Sequence, residues 1–469
     1  MSNVHKYNDD TIAALATPAG IGAIAVIRLS GKDSFSILNK IFYSKSGKPI
    51  DISKKAANTI HFGVLKDGET VLDEVLVGIF IAPNSYTGED IIEISCHGSL
   101  FIQQKILNLL ISNGARLASP GEFTLRAFLN KKLDLSQAEA VADLISSGNF
   151  ASHNVAIKQL KGGFSSEIKD LRDKLISFAS LIELELDFSE EDVEFANRND
   201  LKLLVNEIIN KSEKLVNSFE AGNVIKNGIP VAIIGKPNAG KSTLLNVLLN
   251  EEKAIVSDIA GTTRDVIEDV ISINGISFRF IDTAGIREAM DKIEAIGIER
   301  TYQKISEAAV IVYIFDVNEI EISELTEIIS ELEKKTKENH QKLILIGNKI
   351  DGKSEIDIQR KFSSIPDIIY ISAKEKRNIE GLNKSLTDFI NSKNIDLNTT
   401  IITNVRHAEA LGNSVIALKK VIDGLNNNIT GDFISSDIRN ALYHLGLISG
   451  EVTTDDLLQT IFSKFCIGK

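Results

Sequence analysis

Four short stretches occur in one fixed order in this chain: GKPNAGKS at 235–242, DTAG at 282–285, NKID at 348–351 and SAK at 372–374. Nothing else in the sequence restricts the fold as tightly. The first matches GxxxxGK[ST], follows an apolar run at 231–234 that reads as a buried strand, and precedes a helix-patterned 243–249. This is the strand–loop–helix context of a phosphate-binding P-loop. Gly235 and Gly240 let the backbone turn its N–H groups toward phosphates, Lys241 can reach the β and γ oxygens, and the Ser242 hydroxyl can sit on Mg²⁺.

A P-loop alone does not separate adenine from guanine. Asn348, Lys349 and Asp351 follow a second apolar strand at 343–347, and a carboxylate there accepts from both N–H donors on guanine's Watson–Crick edge. Adenine would leave Asp351 unpaired, which is how a polar site reaches a large discrimination ratio. Taken singly, DTAG could be an ordinary turn and NKID a strand-end loop. In register at successive strand ends, the stretches specify a guanine-nucleotide site on a doubly wound sheet.

Between the first two stretches lies GTTRD at 261–265, where a second Mg²⁺ ligand is expected. Thr263 is the candidate, with Asp282 holding the metal through water. Ras-like enzymes carry Gln immediately after the DxxG glycine to orient the attacking water; here that position is Ile286. An apolar side chain cannot do this, so another group must supply the function. Arg264 and Arg287 are candidate charge stabilisers, although exposed arginines are commonly solvated. Glu288 and Glu294 are the nearby carboxylates that could hold a water.

At 469 residues the chain is too long for one core and suggests roughly three domains. Its two cysteines, Cys96 and Cys466, form no CxxC, which argues against a disulfide framework or zinc site. No apolar run approaches the ~18 residues of a membrane span, and a cytoplasmic location without membrane contact is expected. A formal net charge of −12 argues against sequence-independent coating of nucleic acid. Lys131, Lys132, Lys158 and Lys161 are the scarce candidates for a basic patch, and scattered lysines are ordinarily a solvated face.

Short β-branched runs at 23–29, 59–65, 75–81 and 91–96, with helical patterns at 34–42 and 100–112, predict an α+β N-terminal domain over 1–122. Beyond it the texture changes to long amphipathic stretches at 133–146, 151–188 and 201–219. Residues 223–230 read as a linker into a GTPase segment, 223–391, that closes after a helix at 382–390. The tail from Val405 is helical again, with Thr453 and Thr454 ahead of Asp455 and Asp456 marking a helix start. The expected assembly packs 392–469 against 123–222, making one discontinuous helical domain with the GTPase domain inserted in it.

Motifs outside the GTPase segment carry a family resemblance: YTGED at 86–90, His97-Gly98, PGEFTLRAFLN at 120–130, KLDLSQAEA at 132–140, IGIER at 296–300 and the terminal FCIGK at 465–469. Over essentially its whole length the chain resembles the MnmE (TrmE) family, GTPases that modify the wobble uridine of certain tRNAs. The resemblance implies a nucleotide site made of Asn238, Ala239, Gly240, Lys241, Ser242 and Thr243; of Ser257, Asp258, Ile259, Ala260, Gly261, Thr262 and Thr263; of Asp282, Thr283, Ala284 and Gly285; and of Asn348, Lys349, Asp351, Ser372, Ala373 and Lys374. It implies K⁺ coordination by Asn238, Ser257, Ile259 and Thr262. That cation would sit where Ras-type proteins receive an arginine finger and offset charge on the transferring phosphoryl group. Glu294 would orient the catalytic water when two such domains meet in a homodimer.

The resemblance further implies a tetrahydrofolate one-carbon donor, in its 5-formyl or 5,10-methylene form, bound in the N-terminal domain by Arg28, Glu93, Lys132 and Lys469. Pterin presents a guanidine-like edge to a carboxylate, and the glutamate tail suits a cation. Ser99 stands where the family shows a second glycine after His97-Gly98, and Ile21 and Ala23 replace an Arg and a Gly of the early loop. Cys466 reads either as a buried structural cysteine or as a thiol that takes part in the modification near Lys464 or Lys469. The implied partners are GTP, tRNA and an FAD-containing protein of the MnmG (GidA) type. Two alternatives stay open: a ribosome-assembly or regulatory RNA-associated GTPase without covalent chemistry, and a folate-binding scaffold whose GTPase only regulates assembly. Only the modification enzyme requires the Cys466 thiol.

Overall fold

The computed structural model describes residues 10–187, 197–251, 269–273, 275–281, 308–338, 341–352, 354–392, 399–427 and 429–468. The N-terminal unit comprises β1 (Ile12–Leu15), β2 (Ile24–Ser30), α1 (Ser34–Asn39), β3 (Phe42–Tyr43), β4 (Thr59–Asp67), β5 (Thr70–Phe80), β6 (Ile91–His97), α2 (Leu100–Ser112) and β7 (Arg116–Leu117). These strands form one seven-stranded sheet in the order β3-β4-β5-β6-β2-β1-β7. Alternation along β2 sends Ala25, Ile27 and Leu29 into a core shared with α1 and α2, and leaves Val26, Arg28 and Ser30 on the other face. The helix expected over 34–42 stops at Asn39, because Phe42 is drawn into β3. Its ring lies so close over Gly63 that a Cβ there would sit 2.4 Å from Phe42 Cε2.

Helices α3 (Glu122–Leu129), α4 (Leu135–Ser146), α5 (Phe150–Leu160), α6 (Gly163–Asp187), α7 (Arg198–Asn217) and α8 (Phe219–Asn227) follow. The amphipathic stretch expected at 151–188 is broken at Gly162, which takes a positive φ of 82° that other residues adopt at a cost. Residues 223–230 are not a loose linker: α8 runs to Asn227, buries Ile225, and Gly228 at φ 77° turns the chain directly into the next strand.

The inserted unit comprises β8 (Ile229–Ile234), α9 (Lys241–Glu251), β9 (Asp269–Ile273), β10 (Ile276–Phe280), β11 (Val310–Asp316), α10 (Ile322–Glu338), β12 (Lys342–Asn348), α11 (Glu355–Lys361), β13 (Ile368–Tyr370) and α12 (Ile379–Ser392). Its sheet order is β13-β12-β11-β8-β10-β9, parallel except for the β9–β10 hairpin. Buried residues of α9 and α12 pack one face, and those of α10 and α11 the other. The near-continuous apolar runs of β8, β11 and β12, with polar residues only at the strand ends, are what a sheet covered on both faces requires.

The tail supplies α13 (Val405–Asn426), α14 (Gly431–Ser449) and α15 (Asp455–Phe462). Leu418 and Val421 of α13 and Ile438 of α14 share a core with Leu175 of α6 and Val205 of α7, so both halves of the helical unit close on each other. The outgoing and returning segments of the insertion cross at Gly222, where a Cβ would lie 1.9 Å from Ile402 O. This approach brings the insertion's ends together, which an inserted domain needs.

A buried charge cluster seals the same seam. Glu139 of α4 accepts from Arg406 Nε and Nη2 at 3.0 and 2.7 Å, and its Oε2 lies 2.7 Å from His407 Nε2. Burial by itself raises the Glu139 carboxyl, but His407 and Arg406 outweigh it and hold the carboxyl down at about 2 against a usual 4.5. A depressed folded value stabilises the fold above the unfolded value, and that contribution is lost as pH falls through the folded one. Unfolding free energy is therefore expected to drop between pH 4.5 and about 2, and Glu139→Gln to flatten this acid limb in urea titrations. An unchanged slope in the variant would remove the cluster from the account.

Candidate guanine-nucleotide site

Strand β8 delivers the chain into the P-loop, where two glycines permit contacts that no side chain would allow. At Gly235, φ is 156° and a Cβ would lie 2.1 Å from Ile314 O of β11; at Gly240, φ is 102° and a Cβ would lie 2.1 Å from Asn348 Nδ2. The loop is pressed against both neighbouring strand ends. Lys241 Nζ donates to Gly235 O and Lys236 O, each at 2.8 Å, so the ammonium sits within the arc of the loop. Helix α9 begins at Lys241, and its first-turn N–H groups and dipole favour an anion there. Asn238 is exposed with φ 62°, a left-handed conformation that Asn tolerates.

Asn348, the last residue of β12 and only 3% exposed, ties the site together. Its Nδ2 donates to Ala239 O at 2.8 Å, and its Oδ1 accepts from Ala373 N at 3.0 Å. One side chain thus joins the P-loop, the NKID turn and the SAK loop. Ser372 Oγ donates to Asp351 Oδ1 at 2.7 Å and accepts from Glu375 N at 3.2 Å. The Ser372 hydrogen bond is the main reason that the Asp351 carboxyl is held below its usual value. The carboxylate expected to read the base is therefore charged and oriented in advance.

The expected residues Ser257, Asp258, Ile259, Ala260, Gly261, Thr262, Thr263, Arg264, Asp282, Thr283, Ala284, Gly285 and Glu294 lie outside the described residues, as do Ile286, Arg287 and Glu288. The hairpin between those two segments is described. Its tip rests on the helical unit: Asn149 Nδ2 donates to Ser277 Oγ at 2.7 Å, and Ala151 N to Gly275 O at 3.3 Å. Sequence reading also passed over Asp316, at the end of β11, whose carboxylate lies 2.7 Å from Lys349 Nζ. The available signal was one acidic residue closing an otherwise apolar strand, VIVYIFD.

Two family descriptions match the chain: "GTP-binding protein TrmE N-terminus" over residues 11–132 and "MnmE helical domain" over residues 135–466. The chain belongs to the MnmE (TrmE) family. Relatives named tRNA modification GTPase MnmE include those of Flavobacterium psychrophilum, 56% identical over 98% of this chain and 99% of that one, and Cytophaga hutchinsonii, 55% identical over 98% of each. That of Bacteroides fragilis is 53% identical over 98% of this chain and 100% of its own. Among solved structures, the FeoB G-domain of Methanococcus jannaschii is similar over 35% of this chain and 98% of that one, at 24% identity and a TM-score of 0.23.

A second cluster lies on the N-terminal sheet of this MnmE-family chain. Arg28 and Glu93 face each other in register across β2 and β6, and Arg28 Nε and Nη2 both donate to Glu93 Oε1, at 3.0 and 2.8 Å. Among the described residues Glu93 Oε2 accepts no hydrogen bond, leaving an acceptor of the kind a pterin edge requires. The Arg28 guanidinium lies 5.3 Å from the Tyr86 ring centroid and 5.6 Å from that of Phe123, two aromatic walls from the YTGED and PGEFTLRAFLN motifs that the sequence did not place beside it. Lys132 joins the same loop: its Cγ would lie 3.3 Å from a Cβ at Gly88. Lys469 lies outside the described residues.

The C-terminal tail docks on this unit. Gly121 N donates to Cys466 O at 3.4 Å, and a Cβ on Gly468 would lie 2.1 Å from Leu15 O. Cys466 is exposed, which corrects the reading of it as a buried structural cysteine, while Cys96 is buried. Burial, with Asp73 nearby, pushes the Cys96 thiol up to about 11.

Proposed function

We propose that this chain is a GTP-hydrolysing enzyme of tRNA modification. With an FAD-containing partner of the MnmG (GidA) type, it installs a carboxymethylaminomethyl or aminomethyl group at C5 of the wobble uridine of certain tRNAs. The observation that carries this reading is the bridge from Asn348 to Ala239 and Ala373, which makes one guanine-nucleotide site of three separate stretches, in a chain alike in full length to proteins named as tRNA modification GTPases. Lys241 neutralises phosphate charge, Asn348 and Asp351 bind the base, and Ser242 with Thr263 would hold Mg²⁺. Asn238, Ser257, Ile259 and Thr262 would hold K⁺, which supplies positive charge at the transferring phosphoryl group. Glu294 orients the attacking water, the role Ile286 cannot fill, and Arg264 offsets charge.

Tetrahydrofolate is held by Arg28, Glu93, Lys132 and Lys469, and the free Oε2 of Glu93 supports that fit. The exposed Cys466 thiol, on a tail seated against the N-terminal unit, takes part in the modification. Self-association through the open face of the N-terminal sheet is supported by Ile60, Phe62 and Leu76, which are 71%, 51% and 46% exposed, with Phe62 and Leu76 opposite each other in register, since contiguous exposed apolar residues mark interaction sites. Among the described residues no helix is long and apolar enough to cross a membrane.

The deciding experiment is GTP turnover in KCl against NaCl at matched ionic strength with Mg²⁺ present. Strong stimulation by K⁺ is expected. Equal, slow rates would instead favour a regulatory GTPase that needs a partner's arginine, and Cys466→Ser supporting normal tRNA modification in a complementation assay would point the same way.

A further inference from the structure

We propose that Asp316 and Asn318, in the turn that closes β11, position Lys349 for the guanine slot and thereby set how long a nucleotide stays bound. Lys349 sits between the two base readers in a left-handed conformation, φ 68°, and both of its ends are held. Its ammonium lies 2.7 Å from Asp316 Oδ2, and its carbonyl accepts from Asn318 Nδ2 at 3.1 Å. The same Asn318 donates to the other carboxylate oxygen, Asp316 Oδ1, from its backbone N at 2.9 Å and from Nδ2 at 3.1 Å. The turn is closed further by Val317 N donating to Asn348 O at 3.2 Å. Asp316 and Asn318 therefore grip one lysine, and Val317 between them holds the residue before it.

An exposed lysine–carboxylate pair contributes little to stability, but this pair is not of that kind. The Asp316 side chain is 7% exposed and that of Lys349 39%. Among the described residues Lys349 is the cation paired with this buried carboxylate, so deleting either partner leaves the other in an unfavourable setting. A free lysine carries rotamer entropy, which nucleotide binding would have to remove. With the ammonium and carbonyl already tied down, the methylene stem between them has little freedom left to lose, and its hydrocarbon is available to cover a purine face. Preorganisation of this sort raises affinity by lowering the cost of ordering, and such gains fall mainly on the dissociation rate.

This inference rests on the guanine-nucleotide reading of the site. Its test is stopped-flow dissociation of a fluorescent GDP analogue from the full-length protein with Mg²⁺ present, for wild type, Asp316→Ala, Lys349→Met and the double variant, with thermal melts to establish folding. Asp316→Ala is expected to speed release about 10-fold, the size of one charge-assisted hydrogen bond, and to leave the preference for GTP over xanthosine triphosphate unchanged, because Asp351 is untouched. In the Lys349→Met background the same replacement is expected to add less than about threefold. A full effect there would assign Asp316 a purely structural role and overturn the proposal, as would release within twofold of wild type in the single variant. Asn318→Ala, which keeps the carboxylate but loses the carbonyl clasp, is expected to speed release as well, and no change would count against the inference if Asp316→Ala does not fold. Failure of the wild type to bind the analogue would overturn the nucleotide reading itself.

Discussion

Asp351→Asn is expected to lower GTP affinity roughly 10⁴-fold and to create a preference for xanthosine triphosphate, the size of rejection found where a site built to hydrogen-bond its substrate is mismatched. The amide replaces an acceptor with a donor, which clashes with guanine's N–H groups and suits the carbonyl that xanthine carries instead. The fold should survive, because Ser372 donates to Asp351 Oδ1 at 2.7 Å and an asparagine carbonyl oxygen can accept the same bond. Competition of each triphosphate against a fluorescent GDP analogue measures this directly. Unchanged GTP affinity would sink the base-reading assignment.

Arg126→Leu should have the largest effect on stability. The Arg126 side chain is 0% exposed and its guanidinium serves three carboxylates: Asp10 at 2.7 Å, Glu122 at 3.0 Å and Glu89 at 3.1 Å. Arg116 also pairs with Asp10 and Glu122 at 2.6 Å, but among the described residues it makes no bond to Glu89. Leucine would leave buried negative charge uncompensated, at a cost of about 3–5 kcal/mol. The damage should reach the proposed folate cluster, since Glu89 accepts from Ser30 Oγ at 2.7 Å and Ser30 bonds Thr87 at 2.8 Å, beside the Tyr86 ring that covers Arg28. The expected result is an early thermal transition and loss of tetrahydrofolate binding, with basal GTP turnover within about twofold because the inserted sheet has its own core. Equal folate affinity in a folded variant would separate Arg126 from that site.

Legibility in the sequence followed the range of the interactions. The P-loop, the base-reading turn and the strands beneath them could be read directly, because a phosphate cradle and a strand-end carboxylate are specified by residues adjacent in the chain. The α+β character of the N-terminal unit came from period-two runs for the same reason. The break of the long amphipathic stretch at Gly162 was less legible: the apolar spacing of α5 and α6 continues past it, and only backbone geometry distinguishes a bend from a continuous helix. The helicity of α8 was masked by Gly222 and Gly228, which disfavour a helix locally; Gly222 is accepted because Ile402 packs where a side chain would be.

What the sequence by itself determined is therefore the nucleotide class and the family. Tertiary structure alone decided that Asn348 fastens the P-loop to the SAK loop, that Arg28 lies beside Tyr86 and Phe123, that Glu139 meets a residue 267 positions away, and that Asp316 holds Lys349. Motifs encode contacts among neighbours in the chain. A buried carboxylate's partner is fixed by which strand ends and helices the fold brings together, and no local pattern carries that information.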